Sequence, residues 1–169
     1  MDITLENQSI TVRSATPSEI PLALLFIKKK AAFDRQIGSF SGTLQTSEEK
    51  LRKTIFGPTP FAYFLVAERA GQPIGFALYY FRYSSFAGQP SLWLDDLYVE
   101  ETLRSQGAGA AVMRVLAQIA KDTDCTHIGW TADARNTRGL KFYERLGAII
   151  TEQQGQVCYL RWTLHTAAA

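Results

Sequence analysis

The sequence predicts a mixed α/β protein in which helices pack against a β-sheet. Its 169 residues suit one domain, and a hydrophobic content of 46% supplies enough apolar side chains for a single core. Aromatic and β-branched runs of strand length alternate with segments of helical periodicity. No repeat, low-complexity stretch or linker divides the chain. We therefore expect residues 1–169 to form one α/β domain.

The first elements are a strand and a helix. Apolar and polar residues alternate over Ser9–Arg13, as in a half-buried strand. Thr16 is placed to cap a helix, Pro17 suits its first position, and Glu19 completes a capping box. The sequence predicts that this helix extends to about Lys30.

A second, shorter helix and three strands follow. Thr46–Phe56 begins with a hydroxyl residue and acids and is followed by Gly57 and prolines, which end a helix. Residues 61–68 and 74–83 are aromatic-rich runs joined by a turn sequence, which predicts a hairpin. Residues 91–99 predict a third strand of this group.

The last third of the chain predicts alternating helices and strands. Apolar residues at positions i, i+3, i+4 and i+7 indicate an amphipathic helix after the glycines, namely Val112, Val115, Leu116 and Ile119. A strand is expected at 127–133, a helix at 137–146 closed by Gly147, and a last strand at 156–164. The predicted order is β-α-α-β-β-β-α-β-α-β.

Composition excludes several function classes. A formal charge of +2, with basic residues scattered apart from Lys28, Lys29 and Lys30, gives no basic face for nucleic acid. The longest strongly apolar run, 61–67, is far shorter than the ~20 residues of a membrane-spanning helix. The N-terminus has no basic start followed by an apolar run, and there are only two cysteines. We expect a cytoplasmic protein with no membrane association.

A glycine segment lies between the third strand of the group and the next helix. Gly107 and Gly109 precede free helix amides, where a phosphate is well stabilised because no side chain blocks the backbone. The dinucleotide fingerprint does not fit, because Val112 stands where its third glycine is required, and the P-loop sequence is absent. The alternative explanation is that these glycines only permit a tight turn and close helix packing.

A third pattern fits this segment. Arg104 to Gly109 matches the Arg/Gln-x-x-Gly-x-Gly/Ala signature of the GNAT superfamily of N-acetyltransferases, which the chain resembles here and over residues 94–99 and 131–148. The resemblance implies the GNAT (acyl-CoA N-acyltransferase) fold, a mixed, mostly antiparallel sheet flanked by helices. It also implies acetyl-CoA as the acetyl donor.

The resemblance further implies which residues bind the cofactor. The loop and helix start would hold the pyrophosphate, the preceding strand would meet the thioester and pantetheine, and two later residues would complete the site. The expected cofactor-binding residues are Leu97, Tyr98, Val99, Arg104, Ser105, Gln106, Gly107, Ala108, Gly109, Ala110, Asn136 and Tyr143. Asn136 also has a purely structural explanation as the N-cap of the following helix.

Acetyl transfer to an amine requires a proton acceptor, because an alkylamine of pKa ~10.4 is almost entirely protonated at pH 7. Asp95 and Asp96 lie in the middle of an otherwise apolar strand, where acids are disfavoured. A regular strand would point them to opposite faces, so both can line one site only at a bulge or splay. The alternative explanation of these two acids is structural, namely a salt bridge or a turn cap at the end of the strand. By resemblance Asp95 takes the place of a glutamate base and Asp96 that of an acid that attracts the substrate.

Protonation of the leaving thiolate requires a general acid. Tyr143 lies between Leu140 and Leu146 at helical spacing, and periodicity alone indicates a packed core aromatic. The resemblance instead assigns it as the general acid. Cys125 follows a predicted helix and Cys158 lies in a predicted strand, and neither stands directly beside an obvious histidine partner, so we expect inert cysteines and direct transfer. His127 and His165 are isolated, and no metal site is predicted.

Within the superfamily the chain is most similar to the diamine acetyltransferases, the spermidine/spermine and thialysine group. This resemblance implies a homodimer and a small primary amine as substrate, with Asp34 as a further substrate-binding acid. Ser84 replaces a second expected acid, and Lys28, Lys29 and Lys30 are expected on a solvated helix face. A short diamine or a lysine-like amino acid is therefore favoured over long polyamines. Two alternatives remain, namely an acetyltransferase of protein lysines or N-termini and a non-catalytic acyl-CoA-binding regulatory domain.

Overall fold

A computed structural model describes residues 9–164, so His165 and both chain ends lie outside the described residues. The strands are β1 (Ile10–Ser14), β2 (Tyr63–Arg69), β3 (Gln72–Ser84), β4 (Gln89–Val99), β5 (His127–Asp133), β6 (Ile149–Gln154) and β7 (Val157–Thr163). The helices are α1 (Ile20–Ile37), α2 (Glu48–Thr54), α3 (Ala108–Asp122) and α4 (Thr137–Leu146). Two single 3-10 turns occupy Pro17–Glu19 and Glu101–Leu103.

The strands form one sheet in the order β1-β2-β3-β4-β5-β7-β6. Every neighbouring pair is antiparallel except β4 and β5, which run parallel. The predicted fold class, a mostly antiparallel sheet flanked by helices, is therefore confirmed. The predicted element order is one strand short, because β6 was missed. All six residues of β6 are exposed on the sheet edge, so the strand has no apolar alternation that would reveal it.

The first helix is longer than its sequence predicts. The residues Pro17–Glu19 form a 3-10 turn, and α1 then continues to Ile37 rather than ending near Lys30. Gly38, at φ 82°, adopts the left-handed conformation that ends helices, and its amide bonds to the carbonyl of Arg35 at 3.1 Å. The last two turns of α1 matter because they carry Phe33 and Asp34.

Apolar side chains fill both faces of the sheet. One core lies against α3 and α4, where Val112, Leu116 and Trp130 are buried and Val115 and Ile119 are half-buried. The other core lies against α1 and α2, where four aromatic rings meet, namely Phe26, Phe64, Phe76 and Tyr98. The sheet is thus fixed between two helical layers, and the helix starts that face the site are held by packing.

An ion-pair network joins the start of α1 to the sheet. The guanidinium of Arg13 on β1 lies 2.7 Å from a carboxylate oxygen of Glu19 and 2.5 Å from one of Glu68 on β2. The backbone amide of Thr16 also donates to Glu19 at 2.8 Å. The hydrogen bond from Arg13 lowers the pKa of Glu19 to about 2, so this carboxylate is charged at neutral pH. The network fixes the direction in which α1 crosses the sheet.

Candidate active site

The two parallel strands diverge and open a gap in the sheet. β4 pairs with β5 only at Leu92 with Ile128 and at Trp93 with Gly129. On its other side β4 stays paired with β3, where the amide of Glu100 donates to the carbonyl of Ile74 at 2.9 Å. Amides alternate in direction along a strand, so those of Leu97 and Val99 point away from β3 and into the gap.

A β-bulge lies at the acidic pair. Leu78 pairs with Asp96 and Tyr79 pairs with Leu94, which leaves Asp95 without a partner in the ladder. The extra residue reorients the strand, and both aspartates line one cavity of about 290 Å³. The predicted distortion of the strand is thus confirmed.

A larger cavity of about 430 Å³ extends from the gap to the start of α3. It brings together eleven of the twelve predicted cofactor-binding residues, namely Leu97, Tyr98, Val99, Arg104, Ser105, Gly107, Ala108, Gly109, Ala110, Asn136 and Tyr143. The exception is Gln106, whose side chain points to Arg69 and accepts a hydrogen bond from its guanidinium. The loop side chain of Gln106 therefore has a structural contact, which local sequence could not predict.

The start of α3 leaves backbone donors unused by the helix. The amide of Ala111 makes the first helical bond, to the carbonyl of Gly107 at 2.9 Å, so the amides of Ala108, Gly109 and Ala110 precede the ladder. No side chain in the described part of the chain caps this end. Gly107 has φ +91°, and a Cβ built there would meet nothing within 4 Å. The backbone is thus bare and open at the helix end that favours an anion.

Three arginines line the same cavity. Arg104 donates from Nε to the carbonyl of Val99 at 2.9 Å, and its guanidinium lies 4.7 Å from the ring centre of Phe33. Arg138 donates to the hydroxyl of Ser105 at 2.8 Å, and Arg145 lies two helical turns further along α4. Sequence reasoning missed Arg138 and Arg145. Their spacing of seven residues, which places both on one face of α4, was the available signal.

The smaller cavity is acidic. Asp34, Asp95 and Asp96 line it, and Asp133 does so while paired at 2.7 Å with Arg135. Phe33, Leu97, Asn136 and Tyr143 line both cavities. The acidic cavity and the larger cavity therefore meet at a shared set of side chains.

The lysine cluster does not lie on a solvated face as predicted. Only Lys28 is exposed, whereas Lys29 pairs with Glu100. Lys30 lies inside the acidic cavity with a side chain that is only 20% exposed. Its ammonium bonds to Asp34 and lies 3.5 Å from Asp96. The prediction failed because helix periodicity alone did not show that α1 crosses the gap.

The cavity environment changes the pKa of both strand acids. Burial raises the pKa of Asp96 to about 6, although the charge of Lys30 acts in the opposite direction. Burial also raises the pKa of Asp95, again opposed by Lys30. Asp95 is the more exposed of the two, so water has access to its carboxylate.

Tyr143 lies where the two cavities meet. Its ring packs 4.9 Å from that of Trp130 and 5.2 Å from that of Phe142. Burial and the nearby charges of Asp96 and Asp34 raise the pKa of its phenol, so the hydroxyl is protonated at neutral pH. Both explanations of Tyr143 are compatible with this position, because the residue packs against the core and also lines both cavities.

Asn136 caps α4 as predicted, since its side-chain oxygen accepts a hydrogen bond from the amide of Gly139 at 3.1 Å. Neither cysteine lines either of these two cavities: Cys158 is buried on β7 and Cys125 is half-buried after α3. His127 bonds to Thr126, and within residues 9–164 no group of three or more His, Cys, Asp or Glu side chains is placed to hold a metal.

None of the described helices is long and apolar enough to cross a bilayer.

The amino-acid sequence of this chain is similar to those of known acetyltransferases. Residues 30–148 match the acetyltransferase (GNAT) family. The chain is 33% identical over 159 residues to the thialysine N-epsilon-acetyltransferase of Bos taurus, covering 89% of this chain and 91% of that protein. It is 30% identical over 152 residues to the human spermidine/spermine N(1)-acetyltransferase-like protein 1, covering 85% of this chain but 21% of that protein.

Solved structures share the fold. The PaiA N-acetyltransferase of Thermoplasma acidophilum, solved in complex with coenzyme A, superposes with a TM-score of 0.72 at 15% identity, covering 92% of this chain and 99% of that one. The family match spans well over half of the chain, and the acetyltransferase relatives match it over most of its length. The chain therefore belongs to the acetyltransferase (GNAT) family and is an N-acetyltransferase.

Proposed function

We propose that the protein transfers the acetyl group of acetyl-CoA directly to a primary amine of a small diamine, polyamine or lysine-like amino acid. The observation that carries this proposal is the position of Tyr143. It lines both the groove with bare helix amides and arginines and the pocket with three aspartates. An acyl donor in one cavity and an amine in the other would meet beside one phenol.

The larger cavity fits coenzyme A. Its bare amides at Ala108, Gly109 and Ala110 suit a diphosphate, and three arginines supply positive charge along its wall. The open space above Gly107 leaves room for phosphate oxygens against the backbone. Acetyl-CoA bound there supplies an activated thioester. The amides of Leu97 and Val99, which face the gap, are the donors that would orient the acetyl carbonyl and the pantetheine.

The acids supply the amine site. Asp34 and Asp96 hold the incoming ammonium, because both carboxylates already bind an ammonium in this fold, that of Lys30. Asp95 lies beside them at the bulge and is accessible to water, so it removes the proton through a water molecule rather than by direct contact. The three aspartates of the pocket thus both attract the protonated amine and accept its proton.

Tyr143 protonates the leaving sulfur. Its phenol is kept protonated by burial and by the charges of the aspartates. A phenol next to a thiolate, whose thiol has a pKa of ~8.5, can donate its proton and recover it from solvent through the acids. No covalent cysteine intermediate is needed, since neither cysteine lines either cavity.

A small amine is favoured over a protein substrate. The amine pocket holds about 290 Å³ and is surrounded by α1, β4, β5 and the segment before α4. Its size matches a diamine or an amino acid side chain, and the relatives are named for thialysine and for spermidine/spermine. The non-catalytic alternative is disfavoured because an acid pair and a tyrosine border the cofactor cavity together.

We also propose a cytoplasmic homodimer formed by one domain of residues 1–169. Both cysteines are free, as in a reducing compartment. Four aromatic side chains on β2, on β3 and just before β2 are exposed by 37 to 78%, which is unusual for a monomer, namely Phe61, Tyr63, Phe81 and Tyr83. Light scattering of the wild-type protein and of a Tyr83→Lys variant tests this. A monomeric wild-type protein would contradict the dimer.

The decisive experiment measures thiol release from acetyl-CoA with a panel of amines. The panel contains short diamines, spermidine, thialysine, lysine, aminoglycosides and lysine peptides. We expect the short diamines or lysine-like amino acids to give the highest kcat/KM. A preference for the peptides would favour the protein-acetyltransferase alternative. If coenzyme A bound tightly but no amine stimulated thiol release, the result would favour the non-catalytic regulatory domain.

A further inference from the structure

We propose that Lys30 is a specificity-determining residue that occupies the amine subsite of this enzyme, so that an amine substrate binds only by displacing the Lys30 ammonium from Asp34 and Asp96. The inference rests on the proposed function, because it concerns the same pocket. It adds a competitor that is part of the chain itself.

Lys30 lies inside the amine pocket. Its ammonium bonds to Asp34, one turn along α1, and lies 3.5 Å from Asp96 on β4. The three side chains are only 20 to 24% exposed, so the contact lies within the cavity rather than on the surface. Lys30 therefore bridges a helix and a strand from inside the pocket.

Lys30 and the proposed substrate carry the same chemical group. The group that Lys30 presents is a primary alkylammonium, which is the same group that a diamine or lysine-like substrate presents. A carboxylate that already accepts from Lys30 has fewer lone pairs and less negative potential for a second ammonium. Among the other acids of the pocket, Asp133 is already paired with Arg135, and Asp95 is the acid proposed above as the base. Lys30 and the substrate therefore compete for the same carboxylates.

Occupation of the pocket by Lys30 lowers its affinity for amines. When only a fraction of molecules has its site free, the apparent dissociation constant rises by the inverse of that fraction. The lysine side chain has a flexible four-carbon stem, so it can leave the pocket when an amine enters. Competition of this kind raises the apparent dissociation constant of every amine that must displace Lys30 from Asp34 and Asp96, and it leaves a ligand that does not use these carboxylates unaffected.

The test is calorimetric titration of 1,4-diaminobutane into the protein saturated with coenzyme A, which allows binding without turnover. We compare the wild-type protein with Lys30→Met, which keeps the length and helix preference of the side chain. The matched control is Lys29→Met, since Lys29 is the neighbouring residue, also ion-paired, but pairs with Glu100 and lines neither cavity. Lys30→Gln is a second variant in case Lys30→Met fails to fold.

We expect Lys30→Met to lower the dissociation constant about tenfold, and Lys29→Met to change it less than twofold. Unchanged or weaker diamine binding in Lys30→Met would overturn the inference. Free lysine is titrated in the same way. A loss of its binding in Lys30→Met, but not in Lys29→Met, would also overturn the inference, because Lys30 would then bind the carboxylate of the substrate. Tighter diamine binding without acetylation by any variant would contradict the proposed function and retain the inference, whereas no diamine binding in any variant would overturn both.

Discussion

The ammonium nitrogen of Lys30 lies 3.5 Å from a carboxylate oxygen of Asp96, inside a cavity where burial opposes the charge of that carboxylate. The two effects act on the pKa of Asp96 in opposite directions. Burial is the larger, so the pKa is raised to about 6, and the positive charge of Lys30 limits the rise. Asp96 therefore changes its charge near pH 6.

The first prediction is a pH profile. Because the ionised form of Asp96 attracts the ammonium, kcat/KM for an amine should rise with pH through a midpoint near 6. Removing the nearby cation in Lys30→Met should move this midpoint upward, since Lys30 favours the charged carboxylate. Steady-state kinetics between pH 5 and 8 measure it. If kcat/KM of Asp96→Asn still rose with pH through the same midpoint, another group would be responsible for the rise.

The second prediction concerns stability. A carboxylate whose folded pKa is raised destabilises the fold when ionised. This cost is absent below the unfolded pKa of ~3.9, develops as the pH rises towards the folded pKa of about 6, and is fully present above it. Asp96→Asn should therefore raise the free energy of unfolding at pH 8, by about 1–3 kcal/mol, and change it little near pH 4. Urea unfolding at both values measures the difference.

The control for this stability effect is Asp122→Asn, an exposed acid on α3. It should change the free energy of unfolding by less than about 0.5 kcal/mol at either pH. A gain of equal size for Asp96→Asn at pH 4 and pH 8 would show that its cause is packing rather than charge.

The third prediction tests the cofactor loop. Gly107→Ala forces a side chain into a backbone with φ +91° and places a methyl group in the open space where the diphosphate would lie. We expect a stability loss of about 1 kcal/mol together with coenzyme A binding at least tenfold weaker. Gly155→Ala is the matched control, because φ is +58° there and nothing lies within 4 Å. It should lose similar stability and retain cofactor affinity, and equal weakening in both variants would place the phosphates elsewhere.

Much of the fold is encoded in local signals. The boundaries of β5 and α4 agree with the structure, because alternation and a cap at Asn136 with Gly147 at the far end define them within a few residues. The bulge at Asp95 was also predictable, since adjacent residues of a regular strand point to opposite faces and two acids can line one site only where the strand is distorted. By contrast β6, which is exposed along its whole length, carries no such signal.

The features that sequence did not predict depend on distant contacts. Lys30 lies in the pocket because α1 crosses the gap between β4 and β5, and nothing in its neighbours reveals that crossing. Arg138 reaches Ser105 across 33 residues of chain, and Gln106 turns towards Arg69 across 37. Such pairings follow from the assembled sheet. Local periodicity contains no information about them.

The last prediction separates the two explanations of Tyr143. In Tyr143→Phe the ring that packs against Trp130 is kept and only the hydroxyl at the junction of the cavities is lost. If the hydroxyl protonates the leaving sulfur, kcat should fall by about ten- to a thousandfold while coenzyme A affinity changes little. Tyr159→Phe on β7, which lines neither cavity, is the control and should retain wild-type kcat. Pre-steady-state measurement of thiol release isolates the chemical step, and an unchanged rate in Tyr143→Phe would reduce this tyrosine to a packing residue.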